Sequence, residues 1–238
     1  MEKKSFGGCR VNWRWIGYFA LAFVVIQIPV IGTFFKIADT MIHESSHAIM
    51  TLLLQEKVLQ IELFANTEGV TYSEFSSRTS SILISAAGYT GSSIAALCLA
   101  VLCARGKHAA SLWFFLLVAA VNLVLWVRNP FGMTWLALFI GLLLFALWRR
   151  GNWTVVLSVG LYVFVLAESV SGSFTILWLS LHSPASAGDA ANLARDTLLP
   201  AGFWGALFML QAIVFGFLSV RTVMRRSVTS AKGRTVSY

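Results

Sequence analysis

The segment Met41–Met50 reads MIHESSHAIM and places His43 and His47 four residues apart in an otherwise apolar stretch. Positions i and i+4 lie on one face of an α-helix, so both imidazoles can point at a single ion. Glu44 is displaced by about 100° around the helix axis and can act as a general base beside that ion. The pattern is typical of a zinc site that hydrolyses peptide bonds. A chance match on an ordinary helix is the alternative, although polar groups in an apolar helix are costly and usually functional.

The composition around this segment is that of a membrane protein. Hydrophobic residues make up 58% of the 238 residues and charged residues 12%, and the mean hydropathy is +0.77. A water-soluble surface needs roughly twice that charged fraction, so apolar surface must face lipid. The net charge of +8 arises from basic residues at the ends of apolar runs, which indicates membrane orientation rather than a nucleic-acid partner. We therefore expect an α-helical polytopic membrane protein in the lipid bilayer.

Six apolar runs have about the length of transmembrane helices. They cover residues 13–35, 79–104, 109–127, 133–148, 153–181 and 201–223. The segment 37–54, which contains both histidines, is shorter and more polar, and we interpret it as a membrane-embedded, re-entrant helix. Most basic residues then lie on one side, so the positive-inside rule predicts a multi-pass cell-membrane protein with both termini in the cytoplasm. A full crossing of 37–54 is the alternative.

The pattern changes between residues 56 and 74. VLQIEL at 58–63 alternates apolar and polar residues, FANTEG contains turn residues, and VTY is rich in strand formers. This order predicts a short β-hairpin, which must lie at the membrane interface or be covered by protein because bare strands are not stable in lipid. We expect one integral-membrane domain over residues 1–225 and a basic, disordered cytoplasmic tail over residues 226–238.

Two further features indicate helix packing. The segment SAAGYTGSS at 85–93 contains Gly88 and Gly91 among other small residues, which allow helices to approach closely. Asn122 is a polar residue in an apolar run, and an interhelical hydrogen bond is its simplest role.

Three segments, IHESSHAIMTLLL, EGVTY and AAGYTGSSIAALCL, follow one another in this order. Together they resemble the site-2-protease class of intramembrane zinc metallopeptidases, in particular its bacterial M50B-like branch. GDAANLARDTLLPAGFW at 188–204 is similar to the C-terminal segment of that branch, so the resemblance extends from about residue 35 to 215. It implies a zinc cofactor, membrane-protein or peptide substrates, and a third ligand, usually an aspartate in an NPDG-like motif.

The sequence departs from this pattern at the third ligand. NPFG stands at 129–132, so Phe131, which cannot bind zinc, occupies the aspartate position. Asp189 is our choice for the third ligand, and a helix N-cap is its alternative role. Asn129 can orient a substrate backbone, although Asn-Pro is also a simple turn signal. Three other residues are candidate ligands, each with an ordinary alternative role. Asp196 can be a solvated loop residue, Glu168 a contact between helices, and His182 a residue of the membrane interface.

The sequence therefore predicts an intramembrane zinc metalloprotease. His43, His47 and Asp189 would bind zinc, and Glu44 would be the general base. Because Phe131 replaces the expected aspartate, a catalytically impaired membrane scaffold or binding protein of the same family is the alternative. A transporter is less well supported because the short chain has no obvious inverted repeat. The oligomeric state and the identity of the substrate stay open.

Overall fold

The computed structural model describes residues 28–232 and the isolated positions 17, 20 and 24, with side chains as far as residue 225. Most of the first apolar run, 13–35, lies outside the described residues. Its last five residues belong to the next helix, α1 (Ile31–Leu53), which contains both histidines. The chain turns at Pro29 and Val30, where proline cannot continue a helix and Val30 has a φ of 69°. Helix α1 thus begins six residues earlier than the predicted segment 37–54.

The rest of the described chain is helical apart from one hairpin. Its elements are β1 (Lys57–Leu63), β2 (Gly69–Glu74), α2 (Arg78–Ala104), α3 (His108–Val121), α4 (Pro130–Arg149), α5 (Asn152–His182), α6 (Gly188–Asp196) and α7 (Ala201–Lys232). A π-helical turn, Asn122–Trp126, continues α3. Helix α7 runs into the segment predicted as a tail, and residues 233–238 lie outside the described part of the chain.

Five of these helical stretches are long and apolar enough to cross a membrane. They are α2, α3 with its π-helical turn, α4, α5 and α7 as far as Arg225. The prediction of a polytopic helical membrane protein with a small hairpin is therefore confirmed. Helix α1 has 23 residues, about 34 Å at the usual rise, but is too polar to join this group. Whether it crosses or re-enters the membrane stays a prediction.

Local signals place several helix ends. The Ser77 hydroxyl accepts a hydrogen bond from the Ser80 N–H at 3.0 Å and caps the start of α2. Pro130 begins α4, where its missing N–H has no helical partner to lose. Gly151, with a φ of 58°, allows the reversal between α4 and α5. The connection between α4 and α5 is only residues 150–151, so these two helices are antiparallel neighbours.

The hairpin is covered by protein on one edge and one face. Strands β1 and β2 pair antiparallel, and the Ile61 and Leu63 side chains of β1 are fully buried. Ile61 also forms a parallel bridge with Val127 at the end of the π-helical turn. The outer edge of β2 pairs with no other strand within the described residues. The hairpin predicted for residues 58–72 is present, and its free edge is β2.

Candidate metal centre

Helix α1 points the imidazoles of its two histidines at one carboxylate from a distant part of the chain. The Nε2 atoms of His43 and His47 lie 3.1 Å apart. Asp189 Oδ2, near the start of α6, lies 3.2 Å from Nε2 of His43 and 3.3 Å from Nε2 of His47. The three atoms form a nearly equilateral triangle, and no other group of this kind occurs among the described residues.

The size of this triangle fits a tetrahedral zinc ion. With bond lengths of about 2.0–2.1 Å, two ligand atoms of a tetrahedral site lie about 3.3 Å apart. Asp189 Oδ2 is buried, yet no described residue, including the two histidines, is aligned to donate a hydrogen bond to it. A cation on the axis of the triangle would satisfy this oxygen and both ring nitrogens. Two imidazoles and a carboxylate are a donor set that zinc accepts, so the residues present fit the metal.

The second nitrogen of His47 explains why its Nε2 can act as a ligand. Nδ1 of His47 lies 2.6 Å from the carbonyl oxygen of Ile84 in α2. Because a carbonyl can only accept, Nδ1 carries a proton, which leaves Nε2 as the ring nitrogen that can bind a metal. The ring of His43 packs edge-on against Tyr89, with 4.6 Å between centroids. Both imidazoles are therefore oriented by α2.

The two histidines favour the ionised form of Asp189, which is the form that binds a metal. Burial opposes its ionisation, but the neighbouring His47 and His43 outweigh burial and hold the pKa of Asp189 below its usual range. The alternative role, an N-cap, is not observed, because no side-chain cap bond forms at the start of α6 within the described chain. Asp189 instead lies inside the first turn, where a negative charge is favourable.

Helix α6 is docked by contacts along its length after Asp189. Ala190 and Leu193 are buried in a cluster with Phe208 of α7. At the other end of α6, the Asp196 carboxylate accepts a hydrogen bond from Ser81 of α2. Because these contacts join α6 to α2 and α7, the position of Asp189 depends on tertiary packing.

The other candidate ligands are not part of the triangle. Asp196 is bonded to Ser81, Glu168 lies 3.6 Å from the Lys36 ammonium, and His182 stacks on Trp178 at 3.8 Å between centroids. The Glu168 contact joins α5 to α1, as its alternative role predicted. Phe131, at the expected aspartate position, is 38% exposed near the start of α4 and makes no part of the triangle.

Helix α2 approaches α1 at two glycines. A Cβ on Gly88 would lie 2.5 Å from Nε2 of both His43 and His47, and a Cβ on Gly91 would lie 1.9 Å from the Ser46 hydroxyl. Neither position has room for a side chain. The predicted packing of small residues is thus observed, and it faces the metal-binding side of α1.

Replacing Gly88 with alanine should displace both imidazoles and lower zinc affinity by about 10- to 100-fold, comparable to the loss of a group that orients a ligand. Zinc content of purified protein, measured after dialysis against a graded chelator, reports the change. Gly141→Ala is the matched control, because a Cβ there meets no atom of the described chain within 4 Å. Equal zinc retention in the two variants would contradict this account of Gly88.

Glu44 lines the same cavity as the triangle but is held by the hairpin. Glu44 is only 5% exposed, and its Oε2 accepts a hydrogen bond from the Thr71 hydroxyl at 2.7 Å. The cavity has a volume of about 800 Å³, and its walls include His43, His47 and Asp189. The candidate general base and the three candidate ligands therefore share one compartment.

The opposite side of the motif is fastened by Asn122. Its side-chain amide donates to the Ser45 hydroxyl at 2.7 Å, and that hydroxyl donates to the Met41 carbonyl at 2.6 Å. Asn122 begins the π-helical turn, a distortion that often occurs near functional sites. The interhelical hydrogen bond predicted for Asn122 is confirmed, and its partner lies within the motif itself.

Asn129 makes its contacts outside the cavity walls. Its amide nitrogen donates to the Leu63 carbonyl at 2.6 Å, and its amide oxygen accepts from the Leu63 N–H at 3.2 Å. The side chain thus continues the ladder at the outer edge of β1. The role predicted for Asn129 in substrate binding stays a prediction, and the structure gives its amide a contact within the protein.

Sequence reasoning did not identify two partners of the motif. The Ile84 carbonyl that orients His47 leaves no sequence signal, because any residue supplies a carbonyl. Thr71, whose hydroxyl donates to Glu44, lies in the segment EGVTY, one of the segments that carry the family resemblance. Its role needed the contact between β2 and α1.

Fold and site together define a polytopic helical membrane protein that brings two histidines and an aspartate to one point. A family model described as Peptidase M50B-like matches residues 15–219, which is most of the chain. The chain therefore belongs to the M50B-like peptidase family, a family of intramembrane metallopeptidase type, and the resemblance found in the sequence is confirmed. Comparisons with curated proteins and with solved structures found no match.

Proposed function

We propose that this protein is an intramembrane zinc metalloprotease that hydrolyses peptide bonds of membrane-protein or peptide substrates. The observation that carries the proposal is the triangle of His43 Nε2, His47 Nε2 and Asp189 Oδ2, with sides of 3.1 to 3.3 Å. Membership of a peptidase family supports the reaction type. In this proposal Asp189 takes the place of the aspartate that NPFG lacks, which answers the main argument for an impaired scaffold.

The chemistry divides among the residues of the cavity. His43, His47 and Asp189 would hold zinc, and the bound ion supplies a Lewis acid that polarises a carbonyl and lowers the pKa of water. Glu44 takes a proton from the attacking water and delivers it to the leaving amine, as a general base and then a general acid. Its burial beside the hairpin keeps this carboxylate on the cavity wall.

A polar cavity among apolar helices answers the main difficulty of proteolysis in a membrane, which is the supply of water. Lys36, Asp39, Glu168 and several hydroxyl groups line the compartment together with the metal-binding residues. Charged groups within a membrane are stable only beside water or partners, and Lys36 and Glu168 pair with each other at 3.6 Å. The compartment is therefore suited to hold water next to the triangle.

The free edge of β2 is suited to hold the substrate. An unwound peptide segment can add to an exposed strand through backbone hydrogen bonds. Residues 69–73 of β2 line the cavity, so an added strand would lie within reach of the triangle. We propose that substrates bind by this strand addition, and the lipid bilayer and the substrate are the only partners that the proposal requires.

Replacing Gln60 with proline should lower cleavage by about tenfold or more while zinc content stays unchanged, because proline in β1 removes a ladder hydrogen bond opposite Tyr72. Gln60→Ala, which keeps the backbone N–H, is the control. Cleavage of a labelled transmembrane peptide and zinc content are measured on the same preparations. Full cleavage by the proline variant would count against a role for the hairpin.

The proposal as a whole is tested by zinc content and peptide hydrolysis measured together on the native protein and on variants of the centre. A scaffold that retained its metal would carry zinc and cleave nothing. The protease carries zinc and loses hydrolysis when Glu44 is replaced.

A further inference from the structure

The hairpin contacts the catalytic glutamate directly through one hydroxyl group. Thr71 Oγ1 lies 2.7 Å from Glu44 Oε2 and 3.1 Å from the Glu44 backbone carbonyl oxygen. Both oxygens can only accept when the carboxylate is ionised, so the threonine hydroxyl is the donor. The other carboxylate oxygen, Oε1, receives no hydrogen bond from any described residue. One oxygen of the base is thus held, and the other remains available to accept a proton.

Gly69 provides the space that this arrangement needs. A Cβ at Gly69 would lie 2.7 Å from Cγ of Glu44 and 2.8 Å from its Oε1. Gly69 and Thr71 are two residues apart and therefore face the same side of β2. The strand contacts Glu44 at both positions, by van der Waals contact at the first and by a hydrogen bond at the second.

The strand that carries these two residues is itself held in place. Thr71 pairs with Ile61 and Gly69 pairs with Leu63, and both partners are fully buried in the core. Two more hydrogen bonds join α1 to the hairpin on either side of Glu44. Thr40 donates to the Thr67 carbonyl at 2.7 Å, and the Thr51 and Ser73 hydroxyl groups lie 3.0 Å apart. The Thr71 hydroxyl is therefore presented from a rigid position.

We propose that Thr71 is the positioning residue for Glu44, and that Gly69 is required because any side chain there would displace the glutamate. Glutamate has three side-chain torsions and would otherwise sample several rotamers. A general base acts only within hydrogen-bond reach of the proton it removes, and a misplacement of about 1 Å can lower a rate by about 100-fold. The hairpin thus orients the base as well as offering its edge to a substrate.

This inference rests on the proposed function, and four variants of the full chain test it. The readouts are kcat, KM and zinc content. The probe is a transmembrane peptide of leucine and alanine with a central Asn-Gly pair, and a fluorophore and a quencher are attached on either side of that pair. Thr71→Val should lower kcat by about 10- to 100-fold with KM and zinc content unchanged. Thr71→Ser, which restores the hydroxyl, should recover kcat to within about threefold of the native value.

The control is Thr154→Val, the same substitution at a buried threonine whose hydroxyl donates to the Ala146 carbonyl and which does not line the cavity of Glu44. It should keep the native kcat. Equal losses in the two valine variants, or a native kcat in Thr71→Val, would overturn the positioning role. The fourth variant, Glu44→Gln, separates this outcome from the failure of the proposed function. If native protein does not cleave the probe, or Glu44→Gln cleaves it equally well, the protease proposal itself is wrong.

Discussion

Glu44→Gln is expected to keep the native zinc content and to lower the rate of peptide hydrolysis by about 100- to 10,000-fold, the range that a general base contributes. Glutamine has nearly the same shape and can still accept the Thr71 hydrogen bond, so the 2.7 Å contact and the packing against Gly69 can persist. It cannot take a proton from water at neutral pH. The loss should therefore appear in kcat, with little change in KM.

The measurement is hydrolysis of the labelled transmembrane peptide by purified native and variant protein, with zinc quantified on the same samples. Gln60→Ala, a variant in the hairpin that leaves Glu44 unchanged, controls for general effects of substitution. A Glu44→Gln protein that retained both zinc and full activity would exclude Glu44 as the base. A variant that lost zinc as well would show that Glu44 supports the metal site instead.

The second large effect concerns the metal itself. His43→Ala and His47→Ala should each lower zinc affinity by more than about 100-fold, because even the loss of a group that only orients a ligand costs about 10- to 100-fold. Removing one corner of the 3.1 to 3.3 Å triangle leaves two donors, which are too few for a stable site. Native protein should carry about one zinc per chain.

Asp189→Asn tests the third ligand separately. The amide keeps the shape of the side chain but removes the charge, so zinc content should fall even though α6 stays docked through Ala190 and Leu193. Asp196→Asn is the matched control, because Asp196 is a carboxylate in the same short helix that accepts a hydrogen bond from Ser81 and not from the histidines. Full zinc occupancy in Asp189→Asn would exclude Asp189 as a ligand. Absence of zinc from well-folded native protein would end the metallopeptidase proposal.

These two experiments also separate the protease from a membrane scaffold. The argument for a scaffold was the phenylalanine in NPFG at 129–132. The structure places a carboxylate beside both histidines from another part of the chain, so the departure from the family pattern does not leave the site without an acidic residue. A scaffold would bind zinc in native protein and show the same lack of hydrolysis with or without Glu44.

Much of the fold follows from short-range properties of the sequence. The lengths of the apolar runs identify the five helices that can cross a membrane, because hydropathy and helix rise are properties of the segment itself. Alternation from Val58 to Leu63 identifies β1, because successive side chains of a strand face opposite sides. The sequence predicts the start of α1 six residues too late, because the break at Pro29 and Val30 lies inside a continuous apolar run.

Half of the candidate site was also determined by the sequence alone. His43 and His47 share a face, and Glu44 lies beside them, because the helical repeat is the same in any protein. The tertiary structure decided the rest: which carboxylate completes the triangle, why Gly88 has no side chain, and which hydroxyl holds Glu44. Asp189, Gly88 and Thr71 reach the motif only because α6, α2 and β2 pack around α1. Contacts between segments so far apart in the chain leave no periodic pattern in the sequence, which is the physical reason that the sequence does not predict them.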